Sequence, residues 1–141
     1  MRWVLDASVA VRWYLPSETD PRAQEILARL LENPLVFAVP ELFAFEVFAV
    51  LCRVHAEPVR TYREGVVPLL QGGMYRQPMT ERLALVAGEY LSAGLSGYDA
   101  CYASLARDLG ATWLTFDGKA HRLISEHGVS HCLAEGLPPG W

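Results

Sequence analysis

The stretch Leu114-Thr115-Phe116-Asp117 decides the fold once it is set beside Val4-Leu5-Asp6 near the amino terminus. In both stretches a short, continuous apolar run ends at an aspartate. Runs of this kind, without alternation of polar residues, are typical of strands buried on both faces, as in a parallel sheet. We predict buried strands at Trp3–Leu5, Leu35–Val39 (closed by Pro40) and Ala111–Phe116.

Helical spacing of apolar residues fills most of the chain between these strands. It predicts helices over Glu18–Asn33, Glu41–His55, Thr80–Ala93 and Tyr98–Leu109, with another one leading to His127. The segment 56–79 is punctuated by proline and glycine, and we expect one helix and a short edge strand near Met74–Arg76 there. A weak strand is expected at Val129–Cys132. Strands that alternate with helices indicate an α/β fold with helices covering both faces of a parallel sheet.

Composition indicates one globular domain over residues 1–141. The chain has 141 residues, 52% of them hydrophobic, and a net charge of −4. That hydrophobic content supports a full core and argues against disorder, and the mild acidity excludes a generic basic nucleic-acid coat protein. An odd number of cysteines, three, and an amino terminus that meets Asp6 too early for a secretory segment predict a cytoplasmic protein with reduced thiols.

Four acidic residues have apolar neighbours and stand out from the rest. Asp6 and Asp117 follow predicted strands, and functional crevices of parallel sheets lie beyond the carboxyl ends of their strands. Glu46 lies in Leu42-Phe43-Ala44-Phe45-Glu46-Val47-Phe48, in a helix so apolar that we expect it to be deeply buried. Asp99 begins the helix after Ser96. Buried carboxylates must be paired, hydrogen-bonded or metal-bound, so their convergence predicts a divalent cation.

Metal-assisted hydrolysis of phosphodiesters is the chemistry that needs such a cluster. Mg²⁺ or Mn²⁺ binds oxygen ligands, generates a nucleophile from a bound water and neutralises charge on the phosphate. Each acid also has a purely structural interpretation. Asp6 is suited to cap the turn that follows it, Asp99 to form a capping box with Ser96, and Asp117 to sit in a turn with Gly118.

The ordered motifs resemble those of PIN-domain ribonucleases, and most of all the VapC-like toxins of toxin–antitoxin pairs. The four motifs are Val4-Leu5-Asp6-Ala7-Ser8, Pro40-Glu41-Leu42 leading to Glu46, Ser96-Gly97-Tyr98-Asp99-Ala100-Cys101-Tyr102, and Leu114-Thr115-Phe116-Asp117. The resemblance runs over residues 1–132, and it departs from the usual pattern in the bulkier segment Phe116–His121. It implies a PIN-like three-layer α/β/α sandwich with a central five-stranded parallel β-sheet.

The resemblance also implies an activity and its partners. It implies an Mg²⁺- or Mn²⁺-dependent endoribonuclease that forms homodimers and is held by a cognate VapB-like antitoxin. Carried over by position, the metal ligands are Asp6, Glu46, Asp99 and Asp117, and the supporting hydroxyl residues are Ser8 and Thr115.

Three residues directly after the first motif are candidates for contact with RNA. Arg12 offers a phosphate contact, and Trp13 and Tyr14 offer base stacking; burial in the core or in a dimer is the alternative for the two aromatic residues. Two other functions stay open at this point. One is a PIN-like binding module with a structural metal, and the other is a small metal-dependent nucleotide phosphatase.

Overall fold

The computed structural model describes all 141 residues and has a five-stranded, all-parallel sheet at its centre. The strands follow the spatial order β3-β2-β1-β4-β5. Their bounds are β1 Trp3–Leu5, β2 Phe37–Pro40, β3 Tyr75–Gln77, β4 Thr112–Thr115 and β5 Ser130–Cys132. All five strands lie within or next to predicted ones, and helices flank the sheet, so the prediction of an α/β/α sandwich is confirmed.

Eight α-helices connect and cover the strands. Their bounds are α1 Ala7–Ala10, α2 Pro21–Glu32, α3 Leu42–Val54, α4 Pro58–Thr61, α5 Val67–Gln71, α6 Glu81–Ser92, α7 Gly97–Leu109 and α8 Gly118–Ile124. The predicted capping signals are present: the side chains of Thr80 and Ser96 accept backbone N–H groups at the starts of α6 and α7. Gly110 ends α7 with a φ of 60°, a conformation that glycine adopts without strain. None of these helices is long and apolar enough to span a membrane.

The segment 56–79 differs from the single helix predicted there. Three helical pieces run from Pro58 to Gln71: helix α4, a π-helical turn over Tyr62–Val66, and helix α5. Pro68 lies in the first turn of α5 and has no N–H to bond the carbonyl of Glu64. The widened turn before Pro68 lets the chain stay helical despite the missing hydrogen bond.

The prediction that helix α3 is deeply buried is wrong. One of its faces packs into the core through Phe43, Val47 and Leu51, but Phe45 on the opposite face is 76% exposed. Phe48 is 38% exposed. Burial along α3 follows the helical period of 3.6 residues. Because the outward face is also apolar, the hydrophobicity pattern of the sequence does not reveal this period.

Strand β1 holds the central position and brings distant parts of the chain to one edge. It pairs with β2 on one side and with β4 on the other, where Leu5 lies opposite Leu114. The backbone N–H of Asp6 extends this ladder by donating to the carbonyl of Leu114 at 3.1 Å. Because the strands are parallel, the residues that follow β1 and β4 emerge side by side at the carboxyl edge of the sheet.

Candidate active site

The four acids predicted from the sequence line one cavity at the carboxyl edge of the sheet. The cavity has a volume of about 570 Å³, and its walls include Asp6, Glu46, Asp99 and Asp117. They come from the end of β1, the middle of α3, the first turn of α7 and the end of β4. The structure therefore brings together all four residues.

Three of the four acids also stabilise the start of a helix. One oxygen of Asp6 accepts the N–H of Ser8 at 3.0 Å, and one oxygen of Asp117 accepts the N–H of Ala120 at 3.0 Å. Asp99 occupies the first turn of α7, where the positive end of the helix dipole favours a carboxylate. The cap expected of Asp6 is present, and Asp117 caps α8. Of the capping box expected at α7, only the bond from the Asp99 N–H to the Ser96 hydroxyl is present. Each of the two capping acids engages one oxygen with the helix start, so capping is compatible with a shared cavity.

Asp6 is the most buried member of the group, with only 8% of its surface exposed. Its second oxygen accepts the indole N–H of Trp113 at 3.2 Å. Burial raises the pKa of Asp6, and hydrogen bonds from Ser8, Trp113 and Thr115 oppose that rise.

Glu46 lies on the inward side of α3, where no helix terminus stabilises its charge. The hydroxyl of Tyr102 donates to its Oε1 at 2.8 Å. Burial, and then the negative charges of Asp6 and Asp99, raise the pKa of Glu46 to about 7. Burial, followed by the charge of Asp6, likewise raises the pKa of Asp99.

The two hydroxyl residues predicted as supports lie between the acids and the backbone. Ser8 Oγ accepts the N–H of Phe116 at 3.0 Å, and Thr115 Oγ1 accepts the N–H of Asp117 at 3.0 Å. The two hydroxyl oxygens are 3.5 Å apart. They join the start of α1 to the loop after β4 and thereby set the position of Asp117 relative to Asp6.

The donor chemistry of the cavity suits a hard divalent cation. All four acids offer oxygen ligands, which Mg²⁺ and Mn²⁺ prefer, and none of the four forms a salt bridge with an arginine, lysine or histidine. No three Asp, Glu, His or Cys side chains are close enough together to ligate a single ion. The fit to a metal thus rests on donor type and on unpaired negative charge around one cavity.

The structure separates the three residues predicted to contact RNA. Arg12 lines the cavity, with one guanidinium N–H donated to the carbonyl of Ser8 at 2.6 Å and its charge 4.0 Å above the ring of Phe116. Trp13 and Tyr14 are half-buried beside the core and do not line the cavity. Their polar hydrogens go to backbone carbonyls, those of Ala23 and Gly65, both at 2.8 Å.

Sequence reasoning missed three residues of this region. Tyr98, which is 65% exposed, lines the cavity, and Tyr102 and Trp113 contact its acids. Two of them carried a usable signal. Tyr102 lies one helical turn after Asp99, and Trp113 lies two residues before Thr115, on the same face of β4.

A family model, PIN domain, matches residues 3–124 of the chain. No curated protein sequence matches the chain.

Solved structures share the fold of this chain at low sequence identity. FitAcB from Neisseria gonorrhoeae is 17% identical with a TM-score of 0.72, covering 96% of this chain and 99% of that one. The sarcin-ricin-loop-cleaving toxin VapC20 from Mycobacterium tuberculosis is 20% identical with a TM-score of 0.62, covering 90% and 95%. A toxin–antitoxin complex from Klebsiella pneumoniae is 14% identical with a TM-score of 0.62, covering 84% and 88%.

The raised pKa of Glu46 predicts a pH-dependent stability in the metal-free protein. Unfolded Glu46 ionises near its ordinary value of 4.5, whereas the folded residue keeps its proton up to about pH 7. The unfolded state therefore loses the proton first, and the free energy of unfolding should fall between these pH values. Allowing for partial exposure, we expect this residue to contribute a loss of about 1–2 kcal/mol.

Urea unfolding in EDTA across this pH range measures the effect. Glu46→Gln should remove much of the decrease, because glutamine stays neutral and still accepts the Tyr102 hydroxyl. Glu126→Gln, at an exposed carboxylate without a salt bridge, is the matched control and should keep the wild-type pH profile. Identical profiles for Glu46→Gln and wild type would contradict the prediction.

Proposed function

The chain belongs to the PIN-domain family, and from this premise we propose that it is a divalent-metal-dependent endoribonuclease acting as the toxin of a toxin–antitoxin pair. In this proposal Asp6, Glu46, Asp99 and Asp117 hold Mg²⁺ or Mn²⁺. One observation carries the proposal above the others: four carboxylates from four separate elements line one cavity, and no basic side chain pairs with any of them.

The chemistry divides between the bound ion and the chain. When bound, a divalent ion lowers the pKa of a coordinated water and offsets negative charge on a phosphate. The residues of the chain supply placement. Ser8 and Thr115 fix the backbone that carries Asp117. Arg12, at the wall of the cavity, has guanidinium N–H groups besides the one bound to Ser8, and these can donate to a phosphate of the substrate.

Neutralising substitutions test the proposed ligands. Asp6→Asn, Glu46→Gln, Asp99→Asn and Asp117→Asn each remove one negative charge at nearly constant volume. We expect each to lower the rate of RNA cleavage by roughly 100-fold or more, since a metal contributes several kcal/mol to such reactions. EDTA should stop the wild-type reaction, and Mg²⁺ or Mn²⁺ should restore it. Gel analysis of a structured RNA measures internal cleavage.

Asp108→Asn is the matched control, because Asp108 lies outside the cavity in a salt bridge with Arg82. It should cleave RNA at the wild-type rate. Cleavage by Asp6→Asn at a wild-type rate, with a mock purification free of nuclease, would contradict the proposed site. Release of phosphate from mononucleotides, with RNA left intact, would favour a nucleotide phosphatase instead.

Arg12 provides a test of substrate binding. We expect Arg12→Ala to raise the KM for single-stranded RNA about 10-fold with a smaller change in kcat, because a phosphate contact is lost. The dependence of log K on log salt should become shallower by about 0.7, the value for one phosphate contact on a single strand. Steady-state kinetics and binding at several salt concentrations measure both quantities.

Arg22 offers a matched control for Arg12. Its guanidinium lies 5.7 Å from the same Phe116 ring, but it is bound to Asp20 and to the carbonyl of Ala134 and does not line the cavity. Arg22→Ala should therefore leave the KM and the salt dependence unchanged. Equal effects of the two substitutions would mean that Arg12 supports the fold instead of the substrate.

The proposed partners are a VapB-like antitoxin and a second copy of the chain in a homodimer. The low-identity structural neighbours include a toxin–antitoxin complex, which supports the first of these. An antitoxin segment that crosses the acidic cavity would satisfy its carboxylates with an arginine, in place of the metal charge.

Growth assays test this partner. Expression of the chain alone should arrest growth, because free enzyme degrades RNA, and co-expression with the product of the adjacent reading frame should restore it. Asp6→Asn should be harmless in both conditions. Unimpaired growth with intact, soluble wild-type protein would contradict a toxin and leave a nuclease of another role.

A further inference from the structure

Two aromatic side chains stack against each other beneath the acidic cavity. The rings of Tyr102 and Trp113 are nearly parallel, with centroids 5.7 Å apart and an interplanar angle of 11°. Both residues are fully buried. Tyr102 belongs to α7 and Trp113 to β4, so the stack lies at the contact between that helix and the sheet.

Each ring donates its only polar hydrogen to a different acid of the cavity. The hydroxyl of Tyr102 donates to Glu46 at 2.8 Å, and the indole N–H of Trp113 donates to Asp6 at 3.2 Å. Buried tyrosine and tryptophan usually find an acceptor. Elsewhere in this chain Trp13 and Tyr14 donate to backbone carbonyls, whereas the buried indole N–H of Trp3 has no partner. At the cavity the acceptors are instead two carboxylates that no cation neutralises.

The two donors act against the repulsion within the cluster. Glu46 and Asp6 lie on different elements, and their negative charges destabilise each other. A carboxylate free to rotate would turn away from its like-charged neighbour. A donor held by a stacked, buried ring keeps one oxygen of each acid in place and leaves the charge of the carboxylate uncancelled.

We propose that Tyr102 and Trp113 are positioning residues: the stacked pair fixes the orientation of Glu46 and Asp6 at the cavity wall so that both carboxylates can serve as ligands of a divalent cation. This inference rests on the proposed metal-dependent function. The inference goes beyond that function by assigning part of the affinity for the ion to two uncharged aromatic residues that need not touch the ion.

Direct titration with Mn²⁺ tests the inference without relying on activity. Free Mn²⁺ is counted by electron paramagnetic resonance for wild type, Tyr102→Phe and Trp113→Phe. Loss of a group that orients a metal ligand weakens metal binding by about 10- to 100-fold, and we expect an increase in Kd of that size for each variant. Tyr102→Phe removes only the hydroxyl that donates the hydrogen bond, whereas Trp113→Phe removes the indole N–H together with part of a fully buried ring.

Tyr14→Phe and Trp13→Phe are matched controls. Each makes the same substitution as its test variant, but at a half-buried aromatic residue whose acceptor is a backbone carbonyl. Both should keep the wild-type Kd within about twofold, the usual scatter of such measurements for sites that do not interact with the ligand. An equal loss of affinity in controls and test variants would show a general effect of core damage and overturn the assignment.

A spectroscopic signal separates the positioning role from a merely structural one. Trp113 contacts a proposed ligand directly, so Mn²⁺ should change the tryptophan fluorescence of wild type and of Trp13→Phe but not that of Trp113→Phe. If Trp113→Phe fails to fold, Tyr102→Phe, which lacks only one oxygen atom, decides the Kd comparison alone.

The outcomes distinguish a failure of this inference from a failure of the proposed function on which it rests. Wild-type protein that binds Mn²⁺ with both variants unchanged in Kd overturns the positioning role and leaves the metal-dependent nuclease intact. Wild-type protein that binds no Mn²⁺ and cleaves no RNA overturns both.

Discussion

Mutual repulsion among carboxylates that have no basic partner is the constraint on which the carboxyl edge of the sheet depends. Asp6, Asp99 and Asp117 each raise the pKa of at least one neighbouring acid, on top of the larger effect of burial. A fold that keeps such charges together must stabilise them by other means. Here the means are helix starts for three of the acids and neutral hydrogen-bond donors for the two most enclosed ones.

Neutral hydrogen-bond donors, unlike cations, stabilise a carboxylate without cancelling its charge. A lysine beside Glu46 would lower its energy but would also cancel the charge and fill the space that an ion needs. The hydroxyl of Tyr102 and the indole of Trp113 fix the carboxylates and preserve their charge. Arg12, one of two arginines at the cavity wall, pairs with none of the acids, because the carbonyl of Ser8 and the ring of Phe116 engage its guanidinium. The cavity thereby stays negative and accessible.

The sequence predicts the features of this protein that depend on local pattern. Apolar runs ending at Asp6 and Asp117 locate the central strands and the edge where the acids meet, and capping residues such as Ser96 locate helix starts. Features that depend on register or on a choice between faces were harder to predict. The exposed face of α3 at Phe45 is apolar and looks like core, and the contact of Trp113 with Asp6 requires the pairing of β1 with β4.

The strand order has a consequence for how the protein is made. Asp6 emerges from the ribosome early, yet the strand that places Asp117 and Thr115 beside it is synthesised more than a hundred residues later, since the contact between Ser8 and Thr115 spans 107 positions. Pairing at such separation cannot begin until β4 exists, and it is slow because a long loop must close. A nascent chain that ends before β4 therefore carries Asp6, Glu46 and Asp99 without the cavity, so the complete site can assemble only after β4 and Asp117 have been translated.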